Sequence, residues 1–292
     1  MSISISMVTT LTGSLKSFVR RRPLRVFLFL AFGLTWPLLI ADAMGSYSLI
    51  PFRLAVSGPG LIITLLVGYG PTLAAVIVTG MIGGKAGIRA LLGRLLIWRV
   101  GWHWYLAAIF VPAVLQLMAV MLAPLVGGSQ LSLAMDPLPL LLNAALLFLV
   151  SGLINGEELG WRGFGLPSLQ AKHSALRSSL LLGVVTWLFH LPLFFTQGGG
   201  AGGNFANESM PGYLLAILGV SILFTWIYNN TQGSLLLVYM FHAAFNTWTQ
   251  VFQVEAPGTW LSWLRAGSIC VAAVIIVMVY GPAQLRRKSI SG

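Results

Sequence analysis

The chain is poor in charge, and poorest in acid. Of 292 residues, 8% are charged, and only six are Asp or Glu. An ordinary soluble domain carries about 25%. No water-facing surface of usual polarity can be assembled from so few charges, which excludes a soluble globular enzyme, a disordered chain and a nucleic-acid-binding domain. Cysteine is nearly absent too. Cys270 stands alone in an apolar run, so an internal disulfide and a thiolate metal site are both excluded, and the residue reads as a small buried hydrophobe. The sequence holds no H-E-x-x-H pair for zinc, and no G-x-S-x-G surrounds Ser151, so neither a metalloprotease helix nor a serine nucleophile elbow is present.

What is abundant is apolar. Hydrophobic residues make up 57% of the chain, and mean hydropathy is +0.89. Long apolar runs predict an all-α polytopic membrane protein of about eight spans, near 26–44, 58–83, 104–127, 138–164, 178–196, 212–228, 234–252 and 260–281. Pro and Gly inside several of them do not oppose this, because neighbouring helices re-satisfy freed backbone groups. The predicted organisation is a basic N-terminal segment over 1–25, one membrane domain over 26–282 and a basic tail over 283–292. Gly80 and Gly84 form a G-x-x-x-G pair that suggests close helix packing. The stretch 197–204 reads as a flexible outer loop.

The basic residues orient the chain. Lys16, Arg20, Arg21, Arg22, Arg25, Lys85, Arg89, Arg94, Arg99, Arg162, Lys172, Arg177, Arg286, Arg287 and Lys288 all fall on one side of an eight-span topology, and only Arg53 and Arg265 fall on the other. Positive residues stay cytoplasmic, so both termini are expected in the cytoplasm, with the chain in a bacterial inner membrane. The net charge of +11 is therefore a threading signal, and the bilayer, not nucleic acid, is the expected partner.

Four acids, Asp42, Asp136, Glu208 and Glu255, read as solvated charges at outer span ends or loops. Glu157 and Glu158 differ, because they adjoin a span on the basic side. An acid in a lone membrane helix is costly, so such residues are paired or functional. On a helix Glu158 and Arg162 share a face and can neutralise each other. Glu157 points about 100° away and is left without a local counter-charge, which suits a general base for water. Gly156, Gly160 and Gly163 flank the same stretch and permit close approach of another helix. An ion-pair network that merely holds helices together explains these acids equally well. Two histidines, His190 and His242, lie inside spans. His242 and Asn246 are four apart, so they project from one face and can offer two donors to an oxyanion, provided the imidazole presents an N–H. His103, between Trp102 and Trp104, reads as an interface anchor, and His173 as a solvated loop residue.

Together these residues resemble the CPBP family, the CAAX-protease and bacteriocin-processing intramembrane endopeptidases. E-E-x-x-x-R stands as Glu157, Glu158 and Arg162, and H-x-x-x-N as His242 and Asn246. The family's F-x-x-x-H is matched at His190 but has Thr186 in place of Phe. The likeness covers about 145–250, and Gly70-Pro71-Thr72, Arg94, Trp98-Arg99 and Trp102 upstream also resemble bacterial members. The resemblance implies a glutamate-type peptidase without a catalytic metal. Glu157 with His190 would activate water, His242 and Asn246 would hold the oxyanion, and Glu158 and Arg162 would support them. A zinc site made of Glu157, His190 and His242 is the cofactor alternative. The implied partner is a peptide or protein substrate, lipid-modified or membrane-bound. A non-catalytic membrane scaffold or immunity protein of the same fold, and a proton-coupled transporter, stay open as other functions.

Overall fold

The computed structural model describes residues 14, 16–54, 58, 60–131, 137–197, 205 and 208–286. Asp136, the loop residues 198–204, Arg287 and Lys288 lie outside them. Among the described residues the fold is all-helical, with no strand. Ten helices carry it: α1 (Pro23–Ser46), α2 (Leu61–Gly68), α3 (Gly70–Gly93), α4 (Trp102–Met121), α5 (Pro137–Ile154), the composite α6 (Glu158–Gln170), α7 (Ala175–His190), α8 (Met210–Asn230), α9 (Leu235–Val251) and α10 (Trp260–Tyr280). Short 3₁₀ turns extend α3, α4 and α7. Serines start three of the helices: Ser174, Ser209 and Ser234 each accept the backbone N–H three residues on. This satisfies a helix-end donor that lipid cannot.

Among the described residues six helices are long and apolar enough to cross a bilayer unaided, and a bent pair makes a seventh. The seventh expected span, 234–252, is α9. It has 17 residues, at the short end of what spans a hydrocarbon core, and it carries His242, Asn246 and Gln250. It tolerates them because it is an inner helix, packed against α4 on one side and α5 on the other. Leu235, Leu237, Val238, Phe241 and Ala244 on it are fully buried. By contrast, α5 turns Leu138, Leu141, Leu142, Leu146, Leu149 and Leu153 outward, as a lipid-facing helix does. Elsewhere α8 packs on α7 and α10, α10 also on α4, and α1 on α3.

Two expected spans differ from single rods. The fourth, 138–164, breaks after Ile154, bends by 55° and resumes from Glu158 to Gln170. Within the second half, Trp161–Gly165 winds as a π-helical turn, a wide turn often found at functional sites. The second span, 58–83, divides at Tyr69 into α2 and α3. Its predicted end is sharp: Gly84 adopts φ 59°, a left-handed conformation that favours glycine, and turns the remainder of α3 into a separate arm. A side chain on Gly80 would meet Ile88 of that arm. The G-x-x-x-G pair therefore forms a corner within one chain segment instead of a seam between two helices.

The outer-side acids need one correction. Asp42 is not solvated. It is 1% exposed and accepts hydrogen bonds from Arg53 Nε (2.9 Å) and the Leu54 N–H (2.8 Å). Buried charge must be paired, and Arg53 supplies the pair from eleven residues further on. Glu208 meets Arg265 at 3.5 Å, while Glu255 is exposed as expected. The two arginines that break the charge asymmetry are thus each matched to an acid. His103 is exposed, with Trp102 and Trp104 beside it, consistent with an interface anchor.

Candidate active site

The break between α5 and α6 places both acids. Ending a helix inside a membrane frees carbonyls that need donors, and three hydroxyls supply them. Tyr69 donates to Leu153 O at 2.6 Å, and both Thr72 and Tyr239 donate to Gly156 O. Tyr239 Oη also accepts the Leu159 N–H at 3.3 Å. The turn is pressed against the start of α3. A Cβ on Gly160 would come within 2.5 Å of the Pro71 backbone, and one on Gly156 would enter the Tyr69 ring, so no larger residue fits at either position. Arg94 holds the far end of the turn, donating to Gly163 O at 3.1 Å and to the Tyr228 hydroxyl. The upstream residues Gly70-Pro71-Thr72 and Arg94, which entered only as a resemblance, are thus the seat of the acid pair.

The two acids have different surroundings. Glu158 is 1% exposed. Arg162 Nη1 donates to both of its oxygens at 3.0 and 2.9 Å, forming the expected i, i+4 pair. His242 Nδ1 lies 2.7 Å from Oε1, an interaction not foreseen between residues 84 apart. Arg162 is itself buried, with its guanidinium carbon 4.0 Å over the Phe224 ring, a cation–π contact strengthened by desolvation. Glu157 immediately precedes the helical turn, with 13% of its side chain exposed. Oε2 accepts from Trp161 Nε1 at 2.9 Å. Trp161 is fully buried, wedged edge-on between Phe27 and Phe189, so its N–H is aimed by packing. An acid and a tryptophan four apart are a legible pair, and the sequence reading passed over it.

Oε1 of Glu157 lies 3.7 Å from His190 Nε2, too far for a direct hydrogen bond. His190 closes α7, and its Nδ1 is 2.7 Å from Thr186 O. A carbonyl only accepts, so Nδ1 carries a proton. Thr186, where the family pattern has Phe, is buried and returns its hydroxyl to Leu182 O at 2.9 Å. Its carbonyl serves His190 whatever its side chain. Asn246 is half-buried one turn beyond His242 on α9.

The structure therefore brings Glu157 to His190, and Glu158 to Arg162 and His242, with Asn246 on the His242 face. The acids and histidines divide into two couples. Among the described residues no three His, Cys, Asp or Glu side chains gather with metal-holding geometry. His242 Nδ1 is engaged by Glu158 and His190 Nδ1 by Thr186 O, which leaves Nε2 as the open nitrogen of each ring. No step below is routed through a metal.

A polytopic helical membrane protein with two carboxylate–imidazole couples seated at a helix break is the class these features define. Comparison places it more finely. Residues 137–248 match the family model of Rce1-like type II CAAX prenyl endopeptidases. A curated relative, the CAAX prenyl protease 2 of Methanococcus maripaludis, is 33% identical over 122 residues, which is 41% of this chain and 42% of the relative. The chain thus matches less than half the length of that relative. The segment that holds both couples is the one that resembles the Rce1-like family.

Proposed function

We propose that the protein is an intramembrane endopeptidase of the glutamate type. The observation that carries this reading is the Glu157–His190 couple, two acceptors 3.7 Å apart. Neutral His190 keeps its proton on Nδ1 for Thr186 O, so Nε2 presents a lone pair. Glu157 Oε1 presents another. Two facing acceptors repel unless a group with two protons joins them, and water is that group.

The water oxygen attacks the carbonyl carbon of the scissile peptide bond, and its proton passes to the Glu157–His190 couple. The carbonyl oxygen becomes an oxyanion. Asn246 Nδ2 donates to it, and so does His242 through Nε2–H. Because Nδ1–H of His242 is used by Glu158, donation through Nε2 requires the imidazolium form. Glu157 and Glu158 as carboxylates with Arg162 and His242 as cations then sum to zero charge, which suits a site in lipid. The tetrahedral intermediate collapses, the C–N bond breaks, and the couple returns its proton to the departing amine nitrogen. The products are one carboxylic acid and one amine.

The substrate on this reading is a membrane-held peptide or protein. The prenyl-protease name of the Methanococcus maripaludis relative makes a prenylated peptide ending in a CAAX sequence the first one to offer. The charge asymmetry supports a cell-membrane location with cytoplasmic termini. The test is cleavage of a panel of such peptides by purified protein in nanodiscs. Wild type is expected to cut, while Glu157→Gln and His190→Ala lose about 10²–10⁴-fold in kcat with an unchanged melting temperature. Equal cleavage by wild type and Glu157→Gln, or no cleavage of any peptide, overturns the proposal.

A further inference from the structure

Beside the Glu157–His190 couple stands a phenol that no motif includes. Tyr213 lies in the first turn of α8. Its ring meets the His190 ring at 6.0 Å between centroids, inclined at 63°. On its other sides it packs edge-on against Phe194 at 5.4 Å and Phe205 at 5.2 Å. These rings leave it little freedom to turn. Ser209 caps α8 at this point and bonds through its backbone N–H to Ser262 of α10, so the turn that bears Tyr213 is itself anchored. The hydroxyl makes no hydrogen bond to any described group. A tyrosine held by aromatics normally finds a partner for its O–H, and here the neighbouring couple, whose His190 and Glu157 side chains keep 18% and 13% exposure, is where a water can serve as that partner.

We propose that Tyr213 is a positioning residue for the hydrolytic water. This rests on the endopeptidase reading and deepens it. A water molecule has two protons and two lone pairs. Glu157 Oε1 and His190 Nε2, both acceptors, take the two protons. The Tyr213 O–H donates to one lone pair. The remaining lone pair is then the only one left, and it faces the substrate carbonyl. Without the phenol the water keeps both acceptors but rotates about them, so its nucleophilic lone pair is no longer fixed. Orientation of this kind is worth large factors in rate when reacting atoms must align. No group is transferred to or from Tyr213: it stays protonated throughout, and the proton balance is that of the hydrolysis already described.

The test is Tyr213→Phe, which keeps every ring contact and removes one hydroxyl. With the peptide that wild type cleaves best, kcat is expected to fall about 10- to 100-fold, while KM stays within about twofold and the melting temperature is unchanged. A residue with a merely structural role would move the melting temperature and would leave kcat alone when the fold is intact. Tyr213→Leu, which also deletes the ring, is expected to lower both kcat and the melting temperature. A Tyr213→Phe kcat within about twofold of wild type overturns this inference. The parent reading is tested separately in the same assay. If Glu157→Gln is inactive while Tyr213→Phe is not impaired, only the role of Tyr213 fails. If wild type itself cuts nothing, the hydrolytic reading fails with it.

Discussion

Glu157 and Glu158 are neighbours in the chain and opposites in the fold. Glu158 is 1% exposed, and its oxygens are taken by Arg162 and His242. Glu157 retains 13% side-chain exposure, accepts one hydrogen bond from Trp161 and faces an imidazole held off at 3.7 Å. One carboxylate is saturated and the other has capacity to spare. A saturated buried acid stabilises an arrangement, whereas an acid with a free lone pair can take a proton from a water beside it. They diverge because Glu157 closes the 55° break and Glu158 opens the helix after it, so consecutive side chains turn to α7 and α9 respectively.

The largest expected effect that tests this contrast is on folding. Glu158→Gln leaves buried Arg162 without its counter-charge, and breaking a buried pair costs about 3–5 kcal/mol. Denaturant titration in mixed micelles should show that loss, against a change within about 0.5 kcal/mol for Glu157→Gln. Equal destabilisation by the two changes would mean that the acids do the same work. Next comes Asn246→Ala, which removes one oxyanion donor. It should lower kcat about 10²–10³-fold in the peptide assay while stability holds, because the half-buried Asn246 side chain makes no hydrogen bond to a described residue. The smallest effect sharpens the link to the seat of the turn. Thr72→Val removes a hydroxyl donor from Gly156 O and should cost about 1–3 kcal/mol of stability, with a lesser loss of kcat, since the turn can lean on Tyr239.

The spans were legible because lipid imposes a simple demand: a run of apolar residues long enough to cross. Hence 212–228, 234–252 and 260–281 fall almost on α8, α9 and α10. The break in the fourth span was not legible in the same way. Its cause is tertiary, namely Tyr69, Thr72 and Tyr239 satisfying carbonyls that a straight helix would satisfy itself. The pairing of Glu158 with Arg162 could be read from a spacing of four, but that of Glu158 with His242 joins residues whose separation carries no periodic signal. Asp42 was misread for a related reason. A lone acid at a span end looks like a loop charge until Arg53 folds back over it. The tautomer of His190 depends on Thr186 O, a backbone atom that side-chain motifs do not describe.

The hydroxyls that terminate α5 have a consequence for how a bulky chain reaches the acids. The outward leucines of α5 make it the lipid-side wall of the site, and its C-terminal end is latched at Leu153 and Gly156 by three separate side chains. In hydrocarbon no solvent can take over a latch once it lets go. Swinging the wall partway would strand a carbonyl for each bond lost, so admission should behave as a door that is either shut or fully unfastened, and Tyr69, Thr72 and Tyr239 are its bolts.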